Sequence, residues 1–141
     1  MSNNIKDHLK QLNIIYLALI AGQIMMCGIF LLLKIQEGGE TTSTYIYIGP
    51  LISIATITAA FAIHKTHKNK ARKLTIEEEK LGHHRVSNIT RWALLEGGNL
   101  INVIFFYLEG NYIYLMFFAL GMIAFTMFRP TEKVFKEEYR I

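Results

Sequence analysis

Four apolar runs separated by short polar stretches set the pattern of this chain. They cover residues 12–33, 45–63, 89–108 and 112–128, and each approaches or exceeds the roughly 17–25 residues a helix needs to cross a bilayer. The pattern predicts an all-α polytopic membrane protein: a single domain of four antiparallel transmembrane helices. Turn-forming residues punctuate the runs: Gly38-Gly39 within the polar loop 34–44, Glu109-Gly110-Asn111 between spans three and four, and Arg129-Pro130-Thr131 after the last. Within the polar segment 64–88, Thr75-Ile76-Glu77-Glu78 matches a capping box and predicts a short helix starting after Thr75 and ending or bending at Gly82. The tail, 129–141, reads as charged and partly helical.

The polar positions inside the runs are ordered. In span one, Asn13, Tyr16, Ile20, Gln23 and Cys27 follow a 3-4-3-4 spacing, one stripe of a helix turned toward its neighbours. In span two, Gly49, Ser53, Thr56 and Ala60 form a stripe of small residues suited to close helix packing. Span three departs furthest from a lipid-facing composition. It opens Arg91-Trp92-Ala93-Leu94-Leu95-Glu96-Gly97-Gly98-Asn99-Leu100-Ile101-Asn102. At about 100° per residue, Glu96, Asn99 and Asn102 fall within roughly a 120° arc of one face. An ionisable group at membrane depth costs roughly 2.5–3.5 kcal/mol unless it finds a partner, so this face is expected to point into a bundle. Gln23 and Ser53 or Thr56 are the expected partners.

Composition and charge sharpen this picture. Hydrophobic residues make up 52% of the 141 and charged residues 18%, which is far from a soluble domain. A net charge of +4 would suggest nucleic acid in a soluble protein. Here topology accounts for it, and no nucleic-acid motif accompanies the basic segment. Of the 15 Lys and Arg, only Lys34 lies in the 34–44 or 109–111 loops. The positive-inside rule then predicts a bacterial inner-membrane protein with both termini in the cytoplasm. The polar lead-in and long first run argue against a cleaved signal peptide. The lone Cys27 excludes an internal disulfide.

Candidate chemistry centres on Glu96, with Asn99, Asn102, Gln23 and Arg91 as the polar membrane site. A carboxylate in low dielectric can load a proton or cation near neutrality. It can equally be a packing residue bonded to Asn99 or Gln23. Arg91, five residues earlier, points about 140° away. Trp92 marks the interface, which places Glu96 only about 6 Å deeper. His64, His67, His83 and His84 share one polar segment, and nothing in their spacing fixes a metal geometry. No span carries a central histidine, which argues against haem. The aromatics at the 105–118 turn fit an interfacial belt better than a quinone pocket. No nucleophile–base pair, phosphate loop or cofactor motif is present, so no enzyme or cofactor is expected.

Glu79-Lys80-Leu81, the 91–102 stretch, Glu109-Gly110-Asn111 and Arg129-Pro130-Thr131 together resemble small four-span membrane proteins of Bacteroidota. That resemblance implies the four-helix membrane fold and brings no activity with it. Ala93-Leu94-Leu95-Glu96-Gly97 is similar to the ion-carrying helix of rotary ATPase proteolipids, although the first two spans lack their dense glycine repeat. Small multidrug-resistance transporters are also four-span with one membrane glutamate, but theirs lies in the first helix, where this chain has Gln23. The expectation is a non-enzymatic accessory or scaffold subunit that contacts membrane lipids and assembles with itself or a larger membrane complex. The alternative is a small proton- or cation-coupled transporter or channel using Glu96.

Overall fold

The computed structural model describes residues 3–141, which form five helices and, among the described residues, no strand. They are α1 (Asn3–Glu37), α2 (Ile48–Ala71), α3 (Glu77–Glu109), α4 (Ile113–Met127) and α5 (Glu132–Tyr139). α3 is the axis, packing against α1, α2 and α4. Its buried stripe, His84, Asn88, Arg91, Leu95, Gly98, Asn102, Phe106 and Glu109, repeats every three or four residues, the period of one helix face. Against it α1 presents Tyr16 and Gln23, with Asn13, Ile20 and Cys27 half-buried beside them. α2 presents Gly49, Ser53 and Ala60. α1 packs on α3 as a parallel neighbour, His8 meeting His84 and Gln23 meeting Asn99.

The helices outrun the apolar runs. The lead-in joins α1, and α2 continues past the last apolar residues to Ala71. The separate short helix expected between spans two and three is absent among the described residues. Its sequence forms the first turns of α3, which runs through Gly82 without a break. The N-cap is Ile76, extended and without a side-chain cap bond, so Thr75 forms no capping box. A single glycine costs a helix only about 1 kcal/mol. Burial of Leu81 and His84 on either side outweighs that. Glu77, Glu78 and Glu79 still favour the positive helix start. α3 ends where Gly110 adopts φ 68° and its N–H bonds the Phe106 carbonyl.

α1 and α2 are long and apolar enough to cross a membrane. α4 with α5, bent by 66°, makes a third if the pair is one span. α3 is not among them, because its interior stripe is polar. Close helix approach depends on glycines: a Cβ on Gly49 of α2 would strike the Tyr114 ring. A Cβ on Gly98 would strike the Thr56 side chain, and one on Gly121 of α4 would strike the Asn99 amide. Gly98→Ala should therefore destabilise the bundle by about 1–3 kcal/mol. Detergent unfolding would measure this, and adding Thr56→Ala should recover most of the loss. Gly97, with open space around it, should tolerate alanine without loss.

Candidate functional site

Two polar clusters lie along α3, with an apolar layer between them. In the first, Asn99 Nδ2 donates to Gln23 Oε1 at 2.7 Å and Asn102 Nδ2 to Ser53 Oγ at 2.7 Å. Asn102 also reaches the Gly98 carbonyl at 2.9 Å, while its own Oδ1 is buried without a partner. Interhelical bonds of this kind average roughly 0.6 kcal/mol in membranes, so they orient helices more than they bind them. Next comes a layer of Leu12, Tyr16, Ala60, Trp92, Leu95 and Phe125, all 2% exposed or less. The two polar tips in it are used locally. Tyr16 Oη donates to the Phe125 carbonyl at 3.4 Å and Trp92 Nε1 to the Phe128 carbonyl at 3.1 Å.

Glu96 is the exception. It is half-buried, about 60° round the helix from Asn99 and 100° from Leu95, the middle of the buried face. Neither Asn99, Gln23 nor Arg91 bonds it, and among the described residues its carboxylate has no hydrogen-bond or ion-pair partner. Asn99, Asn102, Gln23 and Arg91 point inward, and Glu96 stands at the rim.

Beyond the apolar layer, four helices converge on the second cluster, which gathers all five histidines. Arg91 is 2% exposed. It donates to the Ser87 carbonyl, to Asn88 Oδ1 and to His64 Nδ1, with its guanidinium 5.0 Å from the centre of the Phe128 ring. His64 Nδ1 also lies 3.6 Å from Glu138 Oε1 of α5. One ring nitrogen thus faces a donor and a carboxylate. It can accept from Arg91 only while unprotonated, so Glu138 sits beside a neutral ring and acts on the neighbouring Arg91 charge. His8 Nε2 and His84 Nδ1 are 3.1 Å apart, joining α1 to α3. His83 Nδ1 and Tyr139 Oη are 2.8 Å apart, joining α3 to α5. The His67 and His83 rings are 5.1 Å apart, and His67 Nδ1, His83 Nε2 and His84 Nε2 are buried without partners.

This docking of the tail is not visible in the sequence reading. Its signal is Phe135, Glu138 and Tyr139 at i, i+3 and i+4 on an otherwise charged helix. All three are buried, and Thr131 caps the helix by accepting from the Val134 N–H. A second carboxylate also escapes the pattern. Glu109, in the expected turn, is 2% exposed. It accepts from the Tyr45 N–H at 2.8 Å and from the Tyr114 hydroxyl, fastening the 42–45 loop to the α3–α4 corner. Among the described residues, no group of three or more His, Cys, Asp or Glu side chains is arranged to hold a metal ion.

Comparison with protein-family models, with curated proteins and with solved structures finds no match to this chain.

Before the apolar part of α3 begins, burial pushes His84 down to about 3, and His8, Arg91 and His83 add in the same direction. His83 is lowered by burial and then by Lys70 and Arg91. Above the ordinary histidine value of 6.5, His84 is neutral whether the cluster is packed or open, so packing has its full strength. As pH falls below 6.5 the open form takes a proton that the packed form refuses until about 3. Stability should therefore fall across that window. At pH 5 His84 alone should contribute a loss on the order of 2 kcal/mol. Thermal unfolding in detergent between pH 8 and 4.5 should show Tm dropping below 6.5, with a shallower drop in His84→Gln. A Tm flat over that range would contradict the burial assigned to these rings.

Proposed function

We propose that the chain is a non-enzymatic integral membrane protein of the bacterial inner membrane. It acts as a scaffold or accessory subunit that assembles with itself or with a larger membrane complex, through the face that carries Glu96. The carrying observation is the unpartnered Glu96 carboxylate in a bundle whose other membrane-depth polar side chains are mostly paired. A carboxylate left there costs a few kcal/mol, and a donor from a neighbouring subunit removes that cost.

Several features support the reading. Little of the apolar stretch of α1 is buried, and Ile14, Leu17, Ile24, Met25 and Leu32 are all more than half exposed. That leaves a broad surface for lipid or a neighbouring helix. In this reading α3 is a fourth span, supported by a polar stripe turned inward while Ile104 and Leu108 face out. α4 is short, about 22 Å at 1.5 Å per residue, and completes a crossing with its flanking turns. The end holding 14 of the 15 Lys and Arg is assigned to the cytoplasm, with both termini there. The apolar layer between the two polar clusters weighs against a conduction path through the interior. It leaves a proton- or cation-coupled role for Glu96 as the lesser reading.

Native mass measurement of the full chain in gentle detergent tests the proposal. Wild type should run as a defined oligomer or within a larger complex. Glu96→Ala should shift it to smaller species, with Glu96→Gln between the two because the amide still hydrogen-bonds. Identical native masses for all three would remove the assembly role. Intact assembly together with loss of pH-driven flux in Glu96→Gln liposomes would favour the carrier.

A further inference from the structure

At the histidine end, α2, α3 and the α4–α5 elbow enclose a recess of about 220 Å³. We propose that it is a binding site for the phosphate of an anionic membrane phospholipid, whose acyl chains run down the adjacent apolar groove. The site lies where the apolar runs meet the charged ends, the level at which headgroup phosphates sit. Its walls divide accordingly. Phe61 and Met127 line the side toward the apolar runs and are 39% and 65% exposed. Lys68 and Arg129 line the opposite side.

The charge available in the recess is cationic. Its three cations, Lys68, Arg91 and Arg129, outnumber its two carboxylates, of which Glu138 acts on Arg91 and Glu137 lies 4.0 Å from Lys133 on α5 itself. Arg91, at the back, is held by Ser87, Asn88 and His64. Among the described residues, the Lys68 and Arg129 side chains make no hydrogen bond or ion pair. They come from different elements and face one space, the arrangement that clamps a phosphate between a point charge and a planar fork. Arg129 also borders a neighbouring recess with Lys6 and Lys10, which extends the cationic rim. Size narrows the ligand further. Pockets that enclose drug-sized molecules run to roughly 300–1,000 Å³, so this recess accommodates a headgroup and leaves the remainder of the lipid outside. Aromatic and thioether side chains beside the cations suit a glycerol backbone and chain. Free phosphate gains nothing from them.

The test is native mass spectrometry of the full chain in detergent, titrated separately with phosphatidylglycerol, phosphatidylcholine and inorganic phosphate. One phosphatidylglycerol should remain bound after the others dissociate. The double variant Lys68→Gln with Arg129→Gln should lose roughly 30-fold in affinity, the effect of two cations at a lipid surface. Lys65→Gln with Lys73→Gln removes the same charge from residues that do not line the recess, and should bind as wild type. Arg129→Lys alone should retain much of the binding. Circular dichroism of each variant confirms that helix content is unchanged, as expected for side chains without internal partners. Equal losses in the two double variants would reduce the effect to general surface charge and overturn the site. Phosphatidylcholine binding as tightly as phosphatidylglycerol would overturn the preference for an anionic lipid. Displacement of the lipid by inorganic phosphate at equal concentration would overturn the role of the apolar groove.

Discussion

The structure rests on one constraint: the polar face of α3 cannot meet lipid. Arg91, Asn99 and Asn102 would each carry a desolvation cost at membrane depth that no lipid tail can offset. The same helix is also too polar along its stripe to count as a span by composition. Both facts resolve when α3 occupies the axis and three other helices cover it. Close cover is possible because the contact points are small. Gly98 admits Thr56 and Gly121 admits Asn99, so backbones approach where polar atoms need partners. α1 illustrates the consequence, since its contact with α3 is a narrow seam that includes His8, Tyr16 and Gln23 while most of its apolar stretch stays exposed.

Polar contacts along that axis differ in kind with depth. The Asn99–Gln23 and Asn102–Ser53 bonds are neutral, and neutral amides can be enclosed on all sides with modest cost once paired. At the histidine end a guanidinium is buried, which demands much more. The apolar layer around Trp92 and Leu95 keeps the two regimes apart. It prevents the Arg91 field from being relayed to the amides by a hydrogen-bond chain. Tyr16 and Trp92 fit there because their polar tips end on backbone carbonyls of the α4 terminus.

Much of this was legible in the residues. The placement of the helices follows from the apolar runs, and the inward turn of Gln23, Asn99 and Asn102 follows from 3-4 spacing. Spacing could not resolve Glu96, because a 120° arc is wide enough to include both the core and its rim. The difference of about 60° between Glu96 and Asn99 decides whether a side chain meets a partner. The helix start after Thr75 is where the sequence places it, but its capping box and its end at Gly82 are not. Gly82 is a local signal, and the packing of Leu81, His84 and Ser87 against other helices overrode it. Glu109 and the tail were missed because their partners are distant in sequence. Tyr45 is 64 residues from Glu109, and no periodicity within one helix reports such a pairing.

The C-terminal helix follows from the same electrostatic demand. Arg91 is buried by the packing of α3 against α2 and α4, and its hydrogen bonds to Ser87, Asn88 and His64 use neutral acceptors only. Neutral acceptors satisfy N–H groups without cancelling charge, so a carboxylate is still required nearby. Glu138, whose field acts on Arg91, supplies it from α5. Phe135 and Tyr139 supply the apolar contact that keeps α5 in place. An eight-residue helix is too short to persist alone, and the bundle without it would leave Arg91 uncompensated. Each therefore completes the other, which makes the tail part of the core even though most of its residues are charged. The histidines belong to the same logic. Neutral imidazoles fill the space between Arg91, Tyr139 and α1 with donors and acceptors while adding no further positive charge.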